Sequence, residues 1–453
     1  RSALWAFCDC ADMARSGTEK PFILFLSLFF AIFACVAIVV LAVAAQTSPS
    51  SSSPSSPTSS EDKEEYTILV SLDGFRHDYF DIHPGKAPTL ESFRRDGVYA
   101  DRMVPIFPSK TFPNHWSIVT GLNAESHGIV ANSFYDPVFD EEFHLWSTRA
   151  VRNASWWGGE PIWAAAEKSG LTTACYYWPG SEAPVGGVRP TYYKAFDGSV
   201  PLSTRVDGVL NWLALNKTAR PSFVTLYMES VDHQGHSYGP FSNEVGEAMS
   251  EVDAALLRLN EGLRRQGIEE KTNLIIVSDH GMTDLSPNRV FFIDDYIDMK
   301  DVFIVDYWPV CHIRIRRGRE GNVTLDELFE KLDGANPHIH AYMKNDLPAR
   351  FHFRSNRRIA PLLLVADLGW VVSTRSNFNR NGVISGSHGF DNEDLDMGAI
   401  FTAKGPSFKQ GGINIGTIRN LDLVNMMAAI MDIHPPPNNG TQQARMLALK
   451  NTE

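Results

Sequence analysis

Three apolar segments, each followed within two residues by an aspartate, constrain the fold of this chain most. They read YTILVSLDGF from Tyr66, PSFVTLYMES from Pro221 and TNLIIVSDHGM from Thr272. Continuous apolar runs of this length are typical of strands buried on both faces. Segments with helical spacing lie between and beside them: APTLESFRRDG, PIWAAAEKSG and NEVGEAMSEVDAALLRLNEGLRRQG. The alternation predicts an α/β fold with a mostly parallel central sheet and helices on both faces.

In such sheets, ligands bind beyond the carboxyl ends of the strands. Asp73, Asp232, Asp279 and His280 all fall at these positions. The region 296–365 lacks this pattern, and its segments HIRIRRG and ARFHF predict an inserted antiparallel part.

The N-terminal region carries 25 consecutive uncharged residues at 21–45. A bilayer core needs about 20 apolar residues in a helix, and a signal-peptide core is about 7–15 residues. We therefore expect a retained transmembrane signal anchor, although Ala42 and Ala44 also form an A-x-A cleavage pattern. Arg15 and Lys20 precede the segment, so the positive-inside rule places the N-terminus in the cytosol.

This gives a predicted domain order of a cytoplasmic tail (1–20), a transmembrane anchor (21–45), a Ser/Pro-rich stalk (46–63) and a catalytic body (64–445). The predicted topology is single-pass type II, with the body extracellular or lumenal, at the plasma membrane, secretory pathway or vacuole. Four glycosylation sequons agree with that side of the membrane; they begin at Asn153, Asn216, Asn322 and Asn439. In the body, Cys175 and Cys311 either form one disulfide or are two buried thiols.

The net charge of the chain is -12 over 453 residues. Proteins that bind the phosphate backbone usually carry basic surfaces, so a nucleic-acid polymer is not the expected partner. A small phosphate ester held by metal ions remains compatible with this charge.

Asp and His side chains recur in four separated segments: SLDGFR (Asp73), VDHQGH (Asp232 and His236), VSDHGM (Asp279 and His280) and SGSHGFDN (His388). Each alone has an ordinary structural explanation, such as a helix cap or a hydrogen-bonded imidazole. Together they form three carboxylates and three imidazoles, a mixture that zinc accepts. Six ligands are too many for one tetrahedral ion and suit two. Paired metals can clamp both oxygens of a phosphoryl displacement.

The segment FPSKTFPNH places Thr111 in a predicted turn between Pro108 and Pro113. A threonine hydroxyl is a weak nucleophile unless a base or a metal activates it. Next to two metal ions, Thr111 could attack phosphorus and form a phosphothreonine that water then hydrolyses.

In order and spacing, SLDGFR, PSKTFPNH, VDHQGH, SDHGM and SGSHGFDN resemble the nucleotide pyrophosphatase/phosphodiesterase family of the alkaline phosphatase superfamily. HGIVANSFYDP, WPGSE and PPPNNGT extend the resemblance from about Tyr66 to Thr441. It implies an alkaline-phosphatase-like fold and a site with two zinc ions.

The resemblance also implies a role for each matching position. Asp73, Thr111, Asp279 and His280 would bind one zinc, with Thr111 as the nucleophile. Asp232, His236 and His388 would bind the other. Asn132 and the backbone N–H of Phe112 would face a phosphoryl oxygen, and the Phe112 and Phe196 rings would enclose the base. Phe196 stands where the family usually has tyrosine, and Glu182 of WPGSE stands where it has aspartate. His127 and His233 match no ligand position.

The expected activity is zinc-dependent hydrolysis of nucleoside triphosphates and phosphodiesters to nucleoside 5′-monophosphates. The main alternative is a phosphodiesterase acting on choline phospholipids or lysophospholipids, because an aromatic pocket also suits an acyl chain or a choline group. A phosphomonoesterase, a sulfatase and an inactive binding ectodomain fit less well, since no arginine clamp or sulfatase motif is seen and all seven ligand positions are intact. No protein partner can be inferred from the sequence.

Overall fold

The computed structural model describes residues 65–381 and 384–450. Eight strands form the central sheet: β1 (Tyr66–Leu72), β2 (Val98–Tyr99), β3 (Thr173–Tyr176), β4 (Tyr192–Lys194), β5 (Phe223–Met228), β6 (Thr272–Val277), β7 (Phe401–Lys404) and β8 (Ile413–Asn414). Their order across the sheet is β8-β2-β7-β6-β1-β5-β3-β4. The three apolar segments of the sequence are therefore β1, β5 and β6, side by side at its centre.

The sheet is mixed, because one interior strand runs against the others. β6, β1, β5, β3 and β4 run parallel to one another, whereas β7 pairs antiparallel with both β6 and β2. Phe401 starts β7 opposite Val277, the last residue of β6. The chain thus re-enters the sheet from the edge where β6 ends, which fixes the opposite direction of β7.

Both faces of the sheet are buried, as the continuous apolar runs predicted. In β1, Leu69 belongs to one apolar core, while Ile68, Val70 and Leu72 belong to the core on the other side. Alternate side chains of a strand point to opposite faces, so helices cover both. The three helices expected from the sequence are present as Pro88–Asp96, Ile162–Lys168 and Asn243–Arg265.

The remaining helices are Tyr79–Ile82, Thr111–Thr120, Ala124–His127, Thr148–Val151, Leu202–Leu213, Ser230–Tyr238, Leu325–Leu332, Arg375–Asn381, Leu423–Ile430 and Gln443–Ala448. Four short two-stranded pairs join Arg102–Val104 with Thr417–Arg419, Ser133–Asp136 with Glu141–His144, Thr283–Asp284 with Gly386–Ser387, and Val290–Phe292 with Val371–Ser373.

A separate four-stranded antiparallel sheet occupies the region where an inserted part was predicted. Its strands are Val302–Ile304, Val310–Ile315, Ile339–Met343 and Leu362–Ala366. HIRIRRG contributes to one strand, but ARFHF is not a strand. It forms a short 3-10 turn over Ala349–Phe351, which follows a proline and buries Phe351 and Phe353 in the main core.

Several predictions about the ends and surface of the chain meet the structure only in part. Within the described ranges, no helix is both long and apolar enough to cross a membrane; the predicted tail, anchor and stalk lie outside those ranges. The sequon asparagines are all exposed: Asn153, Asn216, Asn322 and Asn439. Cys175 and Cys311 are buried free thiols rather than a disulfide.

Candidate active site

The carboxyl edge of the central sheet carries most of the predicted ligands. Asp73 directly follows β1, and Asp279 and His280 lie in the loop just after β6. Asp232 and His236 lie on the helix Ser230–Tyr238, which starts after β5. Their i, i+4 spacing puts both side chains on one face of that helix. All these loops open at the same edge, which is why residues far apart in sequence meet.

Thr111 is the first residue of a buried helix, Thr111–Thr120, and not part of a turn. The helix begins there because Lys110 is extended, with φ -109° and ψ 154°, and Pro113 is tolerated in a first helical turn. A helix N-terminus carries partial positive charge and favours phosphate groups. The Thr111 Oγ1 atom lies 3.3 Å from His280 Nε2.

The ligands predicted for the first metal lie together around Asp279. His280 Nε2 is 2.9 Å from Asp279 Oδ2 and 3.5 Å from Asp73 Oδ1. The other Asp279 oxygen accepts the backbone N–H of Gly74 at 3.2 Å. Asp73, Asp279 and His280 are each at most 1 % exposed, and Asp73 and Thr111 line the cavity described below.

The ligands predicted for the second metal form an adjoining cluster. His236 Nε2 is 3.4 Å from Asp232 Oδ2, and His388 Nε2 is 3.6 Å from Asp232 Oδ1. The two Nε2 atoms lie 3.2 Å apart. The rings of His388 and His280 stack with centroids 3.5 Å apart, which places the two clusters side by side.

The three imidazoles share one hydrogen-bonding arrangement. The Nδ1 atom of each lies 2.9 Å from a backbone carbonyl: Gly386 for His236, Gly281 for His280 and Ser109 for His388. A carbonyl oxygen can only accept, so each Nδ1 carries the proton and each Nε2 keeps a free lone pair. Metal-binding histidines are oriented in this way.

The carboxylates of the two clusters have too few hydrogen-bond donors around them to balance their charge. Asp73 Oδ1, Asp232 Oδ1 and Asp279 Oδ2 are buried and accept no hydrogen bond. Burial, followed by the neighbouring charges of Asp279 and Asp232, raises the pKa of Asp73 well above its usual range. Burial and the nearby His280 and His236 rings lower the pKa of His388. Buried carboxylate oxygens without hydrogen bonds, next to the Nε2 atoms of three imidazoles, fit divalent cations, and the mixed Asp/His set suits zinc.

Two residues of this site escaped the sequence analysis. His115 packs against Asp279, but its Nε2 lies 2.8 Å from Ser71 Oγ and its Nδ1 2.9 Å from the Thr111 carbonyl. Both ring nitrogens are thus engaged, so His115 orients its neighbours. Its position four residues after Thr111 on one helix was the available signal. Tyr227 donates its hydroxyl to Asp73 Oδ2 at 2.5 Å; nothing in its apolar strand indicated this role.

Asn132, which was predicted to face a phosphoryl oxygen, lines the cavity next to Thr111 and contacts the backbone of Phe112. Its Oδ1 accepts the Phe112 N–H at 2.9 Å. That N–H therefore does not stand free for a phosphoryl oxygen, and the amide nitrogen of Asn132 is the group left to donate.

A cavity of about 500 Å³ opens over Thr111, and its wall includes Asn132, Phe112, Phe196 and Glu182. Phe112 is almost buried, whereas Phe196 is 53 % exposed. Glu182 fixes the Phe196 segment, because its Oε1 accepts the Phe196 N–H at 3.0 Å while its Oε2 accepts Arg152 Nε at 2.8 Å.

The two histidines that matched no ligand position stay apart from the clusters. His233 is exposed on the helix Ser230–Tyr238. His127 is buried, where its Nδ1 accepts the Ile129 N–H and its Nε2 contacts Ser117 Oγ.

This chain is similar in sequence and in structure to known proteins. The family model described as type I phosphodiesterase / nucleotide pyrophosphatase matches residues 67–391. A venom phosphodiesterase of Macrovipera lebetinus is 40% identical, over 85% of this chain and 45% of its own length. Human ectonucleotide pyrophosphatase/phosphodiesterase family member 1 is 39% identical, over 85% of this chain and 42% of its own. The chain thus spans less than half the length of these curated relatives.

Solved structures of murine ectonucleotide pyrophosphatase/phosphodiesterase 5 match with a TM-score of 0.79 and 32% identity, over 85% of this chain and 100% of theirs. One of them is an inactive threonine-to-alanine variant in complex with AMP.

Proposed function

Because this chain belongs to the type I phosphodiesterase / nucleotide pyrophosphatase family, we propose that it hydrolyses nucleoside triphosphates and nucleotide phosphodiesters to nucleoside 5′-monophosphates. The observation that carries the proposal is the convergence of the Thr111 hydroxyl on three oriented imidazoles and three unpaired carboxylate oxygens. Phosphoryl transfer needs mainly positioning and charge stabilisation, and this arrangement supplies both.

Two zinc ions fit the two clusters. Asp73, Asp279, His280 and Thr111 would hold one, and Asp232, His236 and His388 the other. When bound, such a pair neutralises charge on the attacking and leaving oxygens. The fit rests on the orphaned oxygens and the free Nε2 atoms of the clusters.

In the proposed reaction, Thr111 and Asn132 act directly on the substrate phosphate. Thr111 Oγ gives up its proton to solvent and forms a bond to the α-phosphorus while the bond from that phosphorus to the leaving oxygen breaks, so ATP releases pyrophosphate. Water then forms a bond to the same phosphorus, the Oγ–phosphorus bond breaks, and the threonine hydroxyl recovers a proton. The Asn132 amide nitrogen donates to a non-bridging oxygen, since Phe112 holds the other end of that amide.

The cavity favours a nucleotide over a phospholipid. Phe112 and Phe196 offer ring faces for a base, and the Glu182–Arg152 ion pair lines the same wall. This ion pair can form hydrogen bonds with the polar edge of a base. An acyl chain in the same place would remove water from the two charged groups and offer no hydrogen bonds in return, which is unfavourable. The related murine protein bound to AMP supports the same substrate class.

We also propose that the body lies on the extracellular or lumenal side of a membrane and carries glycans at the four exposed sequons. The names of the relatives, an ectonucleotidase and venom enzymes, support that side. Deglycosylation of the protein from a secretory host, followed by mass spectrometry of the sequon peptides, tests it.

The decisive experiment uses the secreted body, supplied with zinc, and identifies the products from ATP. We expect AMP and pyrophosphate, lost on chelation and restored by zinc. Thr111→Ala should abolish turnover, by at least a factor of about 1,000, while folding and metal content persist. Appearance of ADP and phosphate would contradict the cleavage site. Release of a product from lysophosphatidylcholine, with none from ATP, would favour the lipid alternative.

A further inference from the structure

Trp146 is a large apolar side chain left in water beside the candidate site. It is 71 % exposed and follows the strand Glu141–His144, where it lines the cavity that also contains Thr111 and Asn132. Ligand cavities are commonly lined by aromatic side chains, and the flat face of an indole can stack on a planar ligand group.

The ring is held in place rather than free to rotate. It stacks on His144, with centroids 4.7 Å apart and planes inclined by 17°. His144 is fixed in turn, because its Nδ1 lies 3.0 Å from Ser133 Oγ and its Nε2 2.8 Å from Glu142 Oε2. One face of the indole is therefore covered by the imidazole, and the other forms an oriented stacking surface that needs little further ordering on binding.

This surface is distinct from the two rings assigned to the first base. Phe112 packs against Phe143 and Trp157, and Phe196 packs against Tyr177 and Tyr227.

The backbone also places Trp146 close to the phosphoryl position. The N–H of Leu145, the residue before it, donates to the Asn132 carbonyl at 3.0 Å. A ring stacked on Trp146 would thus belong to a part of the substrate near the reacting phosphate.

We propose that Trp146 binds the second base of dinucleotide substrates, the base carried by the leaving group. The inference rests on the proposed function, and it identifies a residue that would recognise the base on the leaving-group side of the scissile bond. Stacking of a base on an aromatic side chain favours binding by roughly 5- to 150-fold.

A choline group is a poorer match for the same surface. Choline is bound by cages in which several aromatic faces surround the cation. Trp146 offers a single open face, because its other face is covered by the His144 ring. A flat base needs only the one face.

The test compares two substrates that differ by one adenine. Diadenosine diphosphate and ADP-ribose both contain adenosine joined through a pyrophosphate to a second ribose, and only the former carries a base on that ribose. We expect the wild type to show a kcat/KM about tenfold higher for diadenosine diphosphate. In Trp146→Ala this ratio should fall to near one, whereas Trp146→Phe should keep most of it. Val138→Ala is the matched control, because Val138 is 70 % exposed near the same hairpin and outside the cavity wall.

Binding separates this proposal from the proposed function. Titration calorimetry in a Thr111→Ala background should show the same preference for diadenosine diphosphate and its loss in the double variant, even if no substrate is turned over. A ratio unchanged by Trp146→Ala would overturn the proposal. So would an equal loss for both ligands, which would place Trp146 at the first base. Preferential binding of glycerophosphocholine would overturn it in favour of a choline site.

Discussion

Each site histidine uses Nδ1 to bind a backbone carbonyl and turns Nε2 toward the same small volume. At the scale of single residues, this shared orientation distinguishes the proposed metal ligands from other histidines more clearly than closeness to the site does. We predict that Asp232→Ala and His388→Ala each lose about one of two zinc ions per chain, because each removes a ligand from the second cluster. Elemental analysis after gel filtration in metal-free buffer measures the content.

His233→Ala is the matched control for that experiment. His233 adjoins Asp232 in sequence but points to solvent, so its removal should leave two zinc ions bound. Retention of both ions in His388→Ala would refute the ligand set, and loss of an ion in His233→Ala would show that the helix rather than the ligand was damaged.

Tyr227 lies behind the proposed metal ligands and contacts one of them, Asp73. Its hydroxyl donates to Asp73 Oδ2 and leaves the other oxygen of that carboxylate unpaired for a cation. Removing a group that orients a ligand commonly weakens metal binding about 10- to 100-fold. We predict a loss of that size in Tyr227→Phe, measured by competition with a chelator. An unchanged affinity would show that Asp73 is oriented without the hydroxyl.

At the scale of elements, the hairpin Ser133–Asp136/Glu141–His144 depends on one buried carboxylate. Asp136 is fully buried and accepts hydrogen bonds from Arg357 and Arg358 and from the Val138 and Phe139 N–H groups. Burial alone would raise the pKa of Asp136, but the two arginines lower it well below its usual range.

We predict that Asp136→Asn lowers the free energy of unfolding by about 3 kcal/mol, because two arginines lose their shared buried counter-charge. Chemical denaturation measures the change. Asp140→Asn, on the exposed end of the same hairpin, should have a much smaller effect. Because the pKa of Asp136 is lowered on folding, its contribution is present at neutral pH and is lost only as the pH falls below about 4. Equal effects of the two variants would contradict a special role for Asp136.

The elements that the sequence predicted are those whose pattern is local. Apolar runs identified β1, β5 and β6, and helical spacing identified Asn243–Arg265. The helix at Thr111 was missed because two prolines suggested a turn. All of its residues are buried, polar and apolar alike, so no exposed polar side reveals a helical period. The reversed direction of β7 was also missed, because it depends on where the chain re-enters the sheet.

At the scale of the whole molecule, the seven predicted ligands did meet, because parallel strands send their following loops to one edge. The groups around them could not be predicted. The hydrogen bond from the Tyr227 hydroxyl to Asp73 joins residues 154 positions apart, and the one from the Phe112 backbone N–H to Asn132 joins residues 20 positions apart. Motif spacing says which residues carry the chemistry, whereas the packed fold decides which hydrogen bonds orient them.

Two buried histidines make the stability of the whole fold sensitive to acid. Burial lowers the pKa values of His127 and His312 to about 3, whereas in the unfolded chain they titrate near 6.5. Between these values only the unfolded state takes up protons, so the free energy of unfolding falls as the pH decreases. Each histidine lowers the free energy of unfolding by up to about 1.4 kcal/mol for every pH unit of acidification.

His312 isolates the effect, because its Nε2 has no hydrogen-bond partner in the described part of the chain and its ring packs against Phe353. We predict that the stability lost between pH 7 and pH 5 is about 2 kcal/mol smaller in His312→Leu than in the wild type. Urea unfolding of the metal-free proteins at both pH values measures it, and zinc release cannot then contribute to the difference. If both proteins lose the same amount, His312 is already protonated in the folded state and the burial argument fails for this residue.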